Sequence, residues 1–256
     1  MRIRLPGYAQ LSAPNARGLA LESCRAVLED ILAKETIYDF ASRQESARQL
    51  EGRAPVYAIL LPDGCGAVVV RRSMRGGALA RLNSDLFLPP TRGLRELITS
   101  LRLRLAGVPT PEVVAFVVYR AGLVLRRSDV VTLELAGGTD LASLLGEAQP
   151  GERRARALED AAELVAALSR AGAHHPDLNL KNILVTGMDA GGLEASCAHI
   201  LDVDRIRFHF PGDPMVLQAN VDRLERSIRK WRERRGLAID DAEIEALRAR
   251  TMDLAT

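Results

Sequence analysis

Lysine is nearly missing from this chain. Of its 35 basic residues only Lys34, Lys181 and Lys230 are lysines, and the rest are arginines. With 33 acidic residues the formal charge is only +2, so bulk charge points to no nucleic-acid partner. The arginine bias has two open readings: base composition of the genome, or guanidinium forks that grip phosphate and carboxylate in pairs. Cysteine is scarce as well. Cys24, Cys65 and Cys197 are odd in number, widely separated and without a C-x-x-C pair, which predicts reduced thiols in a cytosolic protein, packed as small hydrophobes. Four histidines and no usefully spaced thiol argue against a zinc site. No apolar run approaches the roughly 20 residues needed to cross a bilayer, and Arg2 and Arg4 have no apolar core behind them. Any membrane contact is therefore expected to be peripheral.

What is present is enough for a large core in one domain or two lobes. Residues 1–49 read as a leader with one helix, Leu19–Ala33. Strands over Val56–Leu61 and Ala67–Arg72 are joined by Pro62-Asp63-Gly64, three residues with a strong turn chemistry. A helix from Pro90 to Gly107 carries Leu94, Leu97, Ile98, Leu101 and Leu105 on one face, with Thr91 as its N-cap. Strands follow over 113–119 and 123–135, meeting at Arg120-Ala121-Gly122. Ala136-Gly137-Gly138 then reads as a hinge. Beyond it the chain is mainly helical, over 140–145, 152–171 and 214–235, with Asp240 and Glu243 forming a capping box on the last helix.

The chemistry concentrates in His174-His175-Pro176-Asp177-Leu178-Asn179-Leu180-Lys181-Asn182, which leads into the apolar run Ile183-Leu184-Val185. A second acidic cluster, Asp202-Val203-Asp204, also follows an apolar approach. Phosphoryl transfer needs one carboxylate for the hydroxyl proton, and an Asn with a second Asp for the metal. The spacing H-x-D-x-x-x-x-N, with an acidic residue about 20 positions on, matches a kinase catalytic loop and its metal-binding site. Asp177 is then the base, with His175 supporting the loop; Asn182 and Asp202 are the magnesium ligands. Asp204 ranks behind Asp202 as a ligand, or serves as an acceptor for Arg205. Asn179 and Lys181 lie within reach of a transferred phosphate.

The sequence resembles the Kdo kinase and lipopolysaccharide core kinase family. The resemblance rests on Arg71–Gly77, Thr91–Glu96, Gly107–Pro111, His175–Leu184 and the Asn220-Val221-Asp222-Arg223-Leu224-Glu225-Arg226-Ser227 helix, in the family's order. It implies an α+β, two-lobed protein-kinase-like fold: a small β-rich N-terminal lobe over 1–135, a helical C-terminal lobe over 136–256, and nucleotide between them. It implies ATP and Mg2+, and an acceptor that is the Kdo sugar of a lipid A precursor. The enzyme would be cytoplasmic, peripheral to the inner membrane, with no protein substrate. Another sugar or small-molecule kinase of heptose or aminoglycoside type stays open, as does a nucleotide-binding pseudokinase.

One departure matters for the nucleotide. No lysine lies between Lys34 and Lys181, so a strand-borne cation must be arginine. The resemblance favours Arg71 for this, with Glu96 as its acidic partner, while alternation turns Arg72 to the other face. Gly52 and Arg53, just before the first strand, fall where a kinase keeps its nucleotide-covering loop, and Lys181 completes the expected nucleotide contacts. Arg75-Gly76-Gly77 would meet an anionic group of the acceptor.

Overall fold

The computed structural model describes residues 5–50, 55–74, 85–87, 92–147, 151–188 and 196–256. Gly52, Arg53, Thr91 and the Arg75-Gly76-Gly77 stretch lie outside the described residues. The chain forms two compact units, Met1–Ile98 with Glu112–Glu134, and Thr99–Pro111 with Leu135–Thr256. A single boundary after residue 135 therefore misplaces Thr99–Pro111. Leu103 and Val108 are buried in the second unit's core, and Pro109 O accepts a hydrogen bond from Ile200 N at 2.9 Å.

The first unit is built on a seven-stranded sheet of order β1-β2-β6-β7-β5-β4-β3. Its strands are β1 (Tyr8–Ala13), β2 (Ala16–Leu21), β3 (Arg48–Leu50), β4 (Val56–Leu61), β5 (Gly66–Arg72), β6 (Val113–Ala121) and β7 (Leu125–Leu133), and every pairing is antiparallel. The expected leader is part of this sheet. Residues 19–21 close a hairpin about Pro14-Asn15, with Ala13 opposite Ala16, and the expected helix starts only at Arg25 as α1 (Arg25–Leu32). Leu11, Ala16 and Ala20 face the core while Ser12 and Arg17 face solvent. Leu19 is buried on the other face, where it pairs with Phe116 of β6, and that long-range pairing decides for a strand over the first turn of a helical stripe. A second short helix, α2 (Ile37–Arg43), follows with Thr36 as N-cap.

At the β4–β5 turn, Asp63 (φ 55°) and Gly64 (φ 79°) both take left-handed backbone, and Cys65 N donates to Pro62 O. This is the mirror-image turn that matches strand twist and that Asp-Gly favours. Cys65 is bonded to Cys24 as a disulfide, with Cα atoms 5.4 Å apart across 41 residues of sequence. The expectation of separate thiols fails here because the fold brings the hairpin turn to the start of α1. Both cysteines are buried, as small hydrophobes would be.

Helix α3 (Arg92–Leu105) begins in the first unit. A Cβ at Gly93 would sit 2.9 Å from the Cβ of Phe116, so only glycine lets the first turn of α3 lie this close to β6.

The second unit is mainly helical, with α4 (Leu141–Leu145), α5 (Glu152–Arg170), α6 (Pro214–Arg235) and α7 (Asp241–Ala255). Ala157, Ala161, Val165 and Leu168 make the buried stripe of α5. Two small sheets frame the loop between them. One runs β11-β10-β8 through Cys197–Ile200, Ile183–Thr186 and Thr139–Asp140; the other pairs β12 (Arg207–Phe208) with β9 (Ala173–His174). Arg154, almost fully buried, donates to both carboxylate oxygens of Glu243 at 3.0 and 2.8 Å. Glu243 also closes the capping box with Asp240, so one fork ties α5 to the start of α7. No helix among the described residues is long and apolar enough to cross a membrane.

Candidate active site

The loop from Ala173 to Asn182 is fixed by what it buries. Leu178 and Leu180 are fully buried, which turns Asp177, Asn179 and Lys181 outward between them. Its backbone is held from beneath by α6. Asn220 Oδ1 accepts from His175 N at 3.0 Å and Asn220 Nδ2 donates to Ala173 O at 3.0 Å. Arg223 Nε donates to Pro176 O at 2.9 Å, and Ser227 Oγ accepts from Leu180 N at 3.3 Å. Positions 220, 223 and 227 share one helix face, so the N-x-x-R-L-x-R-S segment is the cradle of the loop. Its role was not read from the sequence. The available signal was two polar side chains, Asn220 and Ser227, at positions where the stripe of α6 should be apolar.

His175 joins the two acidic segments. Its Nδ1 accepts from Asp177 N at 3.2 Å, so its proton sits on Nε2, which faces Leu201 O at 3.3 Å. The ring is fully buried, and burial is the largest effect pushing its pKa below the usual value, which keeps it neutral. The histidine is thus a positioning residue. One imidazole spans from the proposed base to the residue before Asp202.

Asn182 and Asp202 are brought together by β10 and β11. Ile183 pairs with Ile200, and Leu201 N donates to Asn182 O at 2.8 Å. Thr110 Oγ1 and Pro109 O fasten the same strand end through Ile200, which gives the Gly107–Pro111 stretch its function. Asp202 adopts left-handed backbone (φ 55°, ψ 49°), a conformation that costs a non-glycine residue energy and clusters at functional sites. Its carboxylate has no hydrogen bond or ion pair among the described residues. Asn182 Nδ2 donates to Asp177 O at 3.0 Å, leaving its Oδ1 without a partner among them. Magnesium takes one or two such oxygens and completes its shell with phosphate and water, so this donor pair fits that ion. Asp204 is buried in the turn Val203–Arg205.

Arg205 does not turn to Asp204 but pairs with Asp177 Oδ2. Arg223 Nη2 stands 4.0 Å from Asp177 Oδ1. Neither contact was read from the sequence, because each joins residues far apart in the chain. Lys181 Nζ lies 3.1 Å from Asp140 Oδ2, with the Trp231 ring 5.9 Å away. Asn179 folds back on the loop, donating to Asp177 O and accepting from Lys181 N.

In the first unit, Arg71 pairs with the buried Glu96 of α3. Its neighbour Arg72 turns to the opposite face and meets Asp129 at 3.2 Å, Asp39 at 3.3 Å and the Tyr38 ring at 4.3 Å. The strand thus separates a cation on an acidic helix residue from one consumed in a structural network.

These residues fall within a match to the family described as "Lipopolysaccharide kinase (Kdo/WaaP) family", which covers residues 41–249. The chain is similar to a 3-deoxy-D-manno-octulosonic acid kinase of Xanthomonas oryzae pv. oryzae, 33% identical over 227 residues, 84% of this chain and 83% of that one. A protein of the same name from Vibrio vulnificus is 30% identical over 200 residues, 77% of this chain and 78% of its own length. Among solved structures, "WaaP in complex with acyl carrier protein" aligns with a TM-score of 0.48 and 21% identity, over 86% of this chain and 92% of that one. Each residue described above, from Arg71 to Ser227, lies inside the matched segment, and the chain belongs to the lipopolysaccharide kinase (Kdo/WaaP) family.

Proposed function

We propose that the chain transfers the γ-phosphoryl group of ATP to a hydroxyl of a Kdo sugar on a lipid A precursor. Asp177 receives the hydroxyl proton as the new P–O bond forms; the bond to the β-phosphate oxygen breaks and ADP leaves. Asn182 and Asp202 hold magnesium, which offsets negative charge on the phosphates. Arg71, oriented by Glu96, meets the nucleotide phosphates in place of the usual lysine. Gly52, Arg53 and Lys181 are the further nucleotide contacts in this reading. The acceptor being lipid-linked, the enzyme works in the cytoplasm, at the surface of the inner membrane, as a peripheral visitor.

The observation that carries this reading is the neutral His175 ring holding Asp177 N on one side and Leu201 O on the other. It spends a buried side chain on registering a base against a metal ligand. Near-attack geometry of that kind is where phosphoryl transfer gains most of its rate. The test is ADP release by the purified protein with a Kdo-bearing lipid A precursor in mixed micelles, beside free Kdo and free heptose. Turnover on the lipid-linked Kdo supports the reading. Turnover on heptose alone refutes the acceptor, and no ADP release with any of the three refutes the reaction.

A further inference from the structure

Asp177 carries more positive charge around it than a base needs. Arg205 reaches it from the turn after Asp202 and Arg223 from α6. Two guanidinium groups around one carboxylate leave one positive charge in excess. Arg205 reaches only Oδ2 of that carboxylate, which leaves most of its guanidinium donors for a second anion beside the base. Arg205 is open to an incoming ligand: its side chain is 56% exposed and it lies on a short turn. Arg223 is fixed by its bond to Pro176 O, yet at 4.0 Å from Asp177 it makes no direct hydrogen bond there. Among the described residues its outer nitrogens make no hydrogen bond, and Nη2 has only this longer ion pair.

We infer that Arg205 and Arg223 form a binding site for a carboxylate on the acceptor sugar. Asp177 is the group that must meet the acceptor's hydroxyl, so cations flanking it face the acceptor. A sugar acid entering there gives Arg205 a second carboxylate to grip beside the base. A neutral sugar lacks that ionic contact and is a poor substrate even if it fits. This site rests on the sugar-kinase reading and adds to it the chemical feature that selects the acceptor.

The test pairs a substrate change with a side-chain change. Wild type, Arg205→Gln and Arg223→Gln are assayed on the Kdo-bearing lipid A precursor and on its carboxyl methyl ester. Wild type is expected to lose about 10- to 100-fold in kcat/KM on the ester, the size of one charged hydrogen bond. Arg205→Gln is expected to lose a similar factor on the acid and little more on the ester, with the KM for ATP within about twofold. Equal losses on both acceptors overturn the site, as does a rise in the KM for ATP, which would place these arginines on the nucleotide. Should wild type turn over neither acceptor, the kinase reading fails, and titration of the protein with free Kdo still reads the anion site. Binding that weakens in Arg205→Gln upholds the site, and binding equal to that of wild type overturns it. Arg205 is exposed, so its replacement leaves the fold intact, and a thermal melt matching wild type verifies this.

Discussion

Replacing Asn220 with alanine should unfasten the catalytic loop while leaving every catalytic side chain in place. Asn220 is fully buried in α6 and makes three hydrogen bonds, to His175 N and Ala173 O at 3.0 Å and to Ser169 Oγ at 3.3 Å. The three losses are unequal. Ser169 Oγ keeps a bond to Val165 O at 2.8 Å, so it loses little. The His175 N–H loses its side-chain acceptor in a dry interior, and an orphaned donor there costs about 1–3 kcal/mol. Adding roughly 1 kcal/mol for the net loss at Ala173 O gives about 2–4 kcal/mol. For a protein of this size each kcal/mol moves Tm by about 2–4 °C, so the variant should melt about 4–16 °C lower. Below that melt, kcat should still fall by about tenfold or more, because residue 175 sets the position of residue 177. Urea denaturation and steady-state kinetics at 20 °C measure the two effects separately. A stability loss under about 0.5 kcal/mol, with kcat unchanged, would refute the view that α6 holds the loop.

Other consequences are open to measurement. Burial lowers the pKa of His175, His174 and His199 in the folded state, whereas the unfolded chain takes up these protons near pH 6.5. Their contribution to stability is therefore full above about pH 6.5 and is lost as pH falls below it. Urea midpoints should be level between pH 8 and 7 and drop towards pH 5.5, with a shallower drop in His175→Gln; a midpoint rising on acidification contradicts this. Arg72→Met strands the fully buried Asp129 carboxylate, whose pKa burial already raises, and should destabilise by about 3–5 kcal/mol, read in urea; Arg72→Met as stable as wild type would be the contrary result. Arg71→Ala should raise the KM for ATP or lower kcat by about tenfold or more, and Arg71→Lys should recover only part, since an ammonium replaces a planar fork; unchanged ATP kinetics in Arg71→Ala would remove it from the nucleotide site. Asp202→Asn should weaken ATP binding with magnesium and leave metal-free binding unchanged; equal affinities in both titrations would end its assignment as a ligand.

The loop was legible because catalysis demands residue types at fixed spacing. Asp177, Asn182 and Asp202 were candidates by type and interval, and β10 and β11 bring Asn182 against Leu201, the residue before Asp202. For the Arg71–Glu96 pair, the missing lysines required only an arginine; the choice of Arg71 and of Glu96 came from the family resemblance. Long-range pairing was not legible. Residues 19–21 satisfy a strand and a helix equally until β6 supplies hydrogen-bond partners. The Cys24–Cys65 bond joins points that only the packed hairpin makes adjacent. The convergence of Arg205 and Arg223 on Asp177 is likewise a product of three elements meeting, and no local pattern encodes it.

The N-terminal hairpin bears on how this enzyme can be shortened. The family match begins at residue 41, inside α2 and beyond both β1 and β2. A protein trimmed to that limit loses the strand that pairs Ala16–Ala20 against Ala115–Tyr119 of β6. It also loses α1, whose Leu28 and Ile31 pack in the core of this unit with Val114 and Val117. β6 would then become an open sheet edge, rich in valine and bare of charge from Val113 to Val118. Unprotected edges of that kind recruit other copies of themselves. The trimmed protein should therefore self-associate, and its failure in solution would say nothing about the chemistry of Asp177.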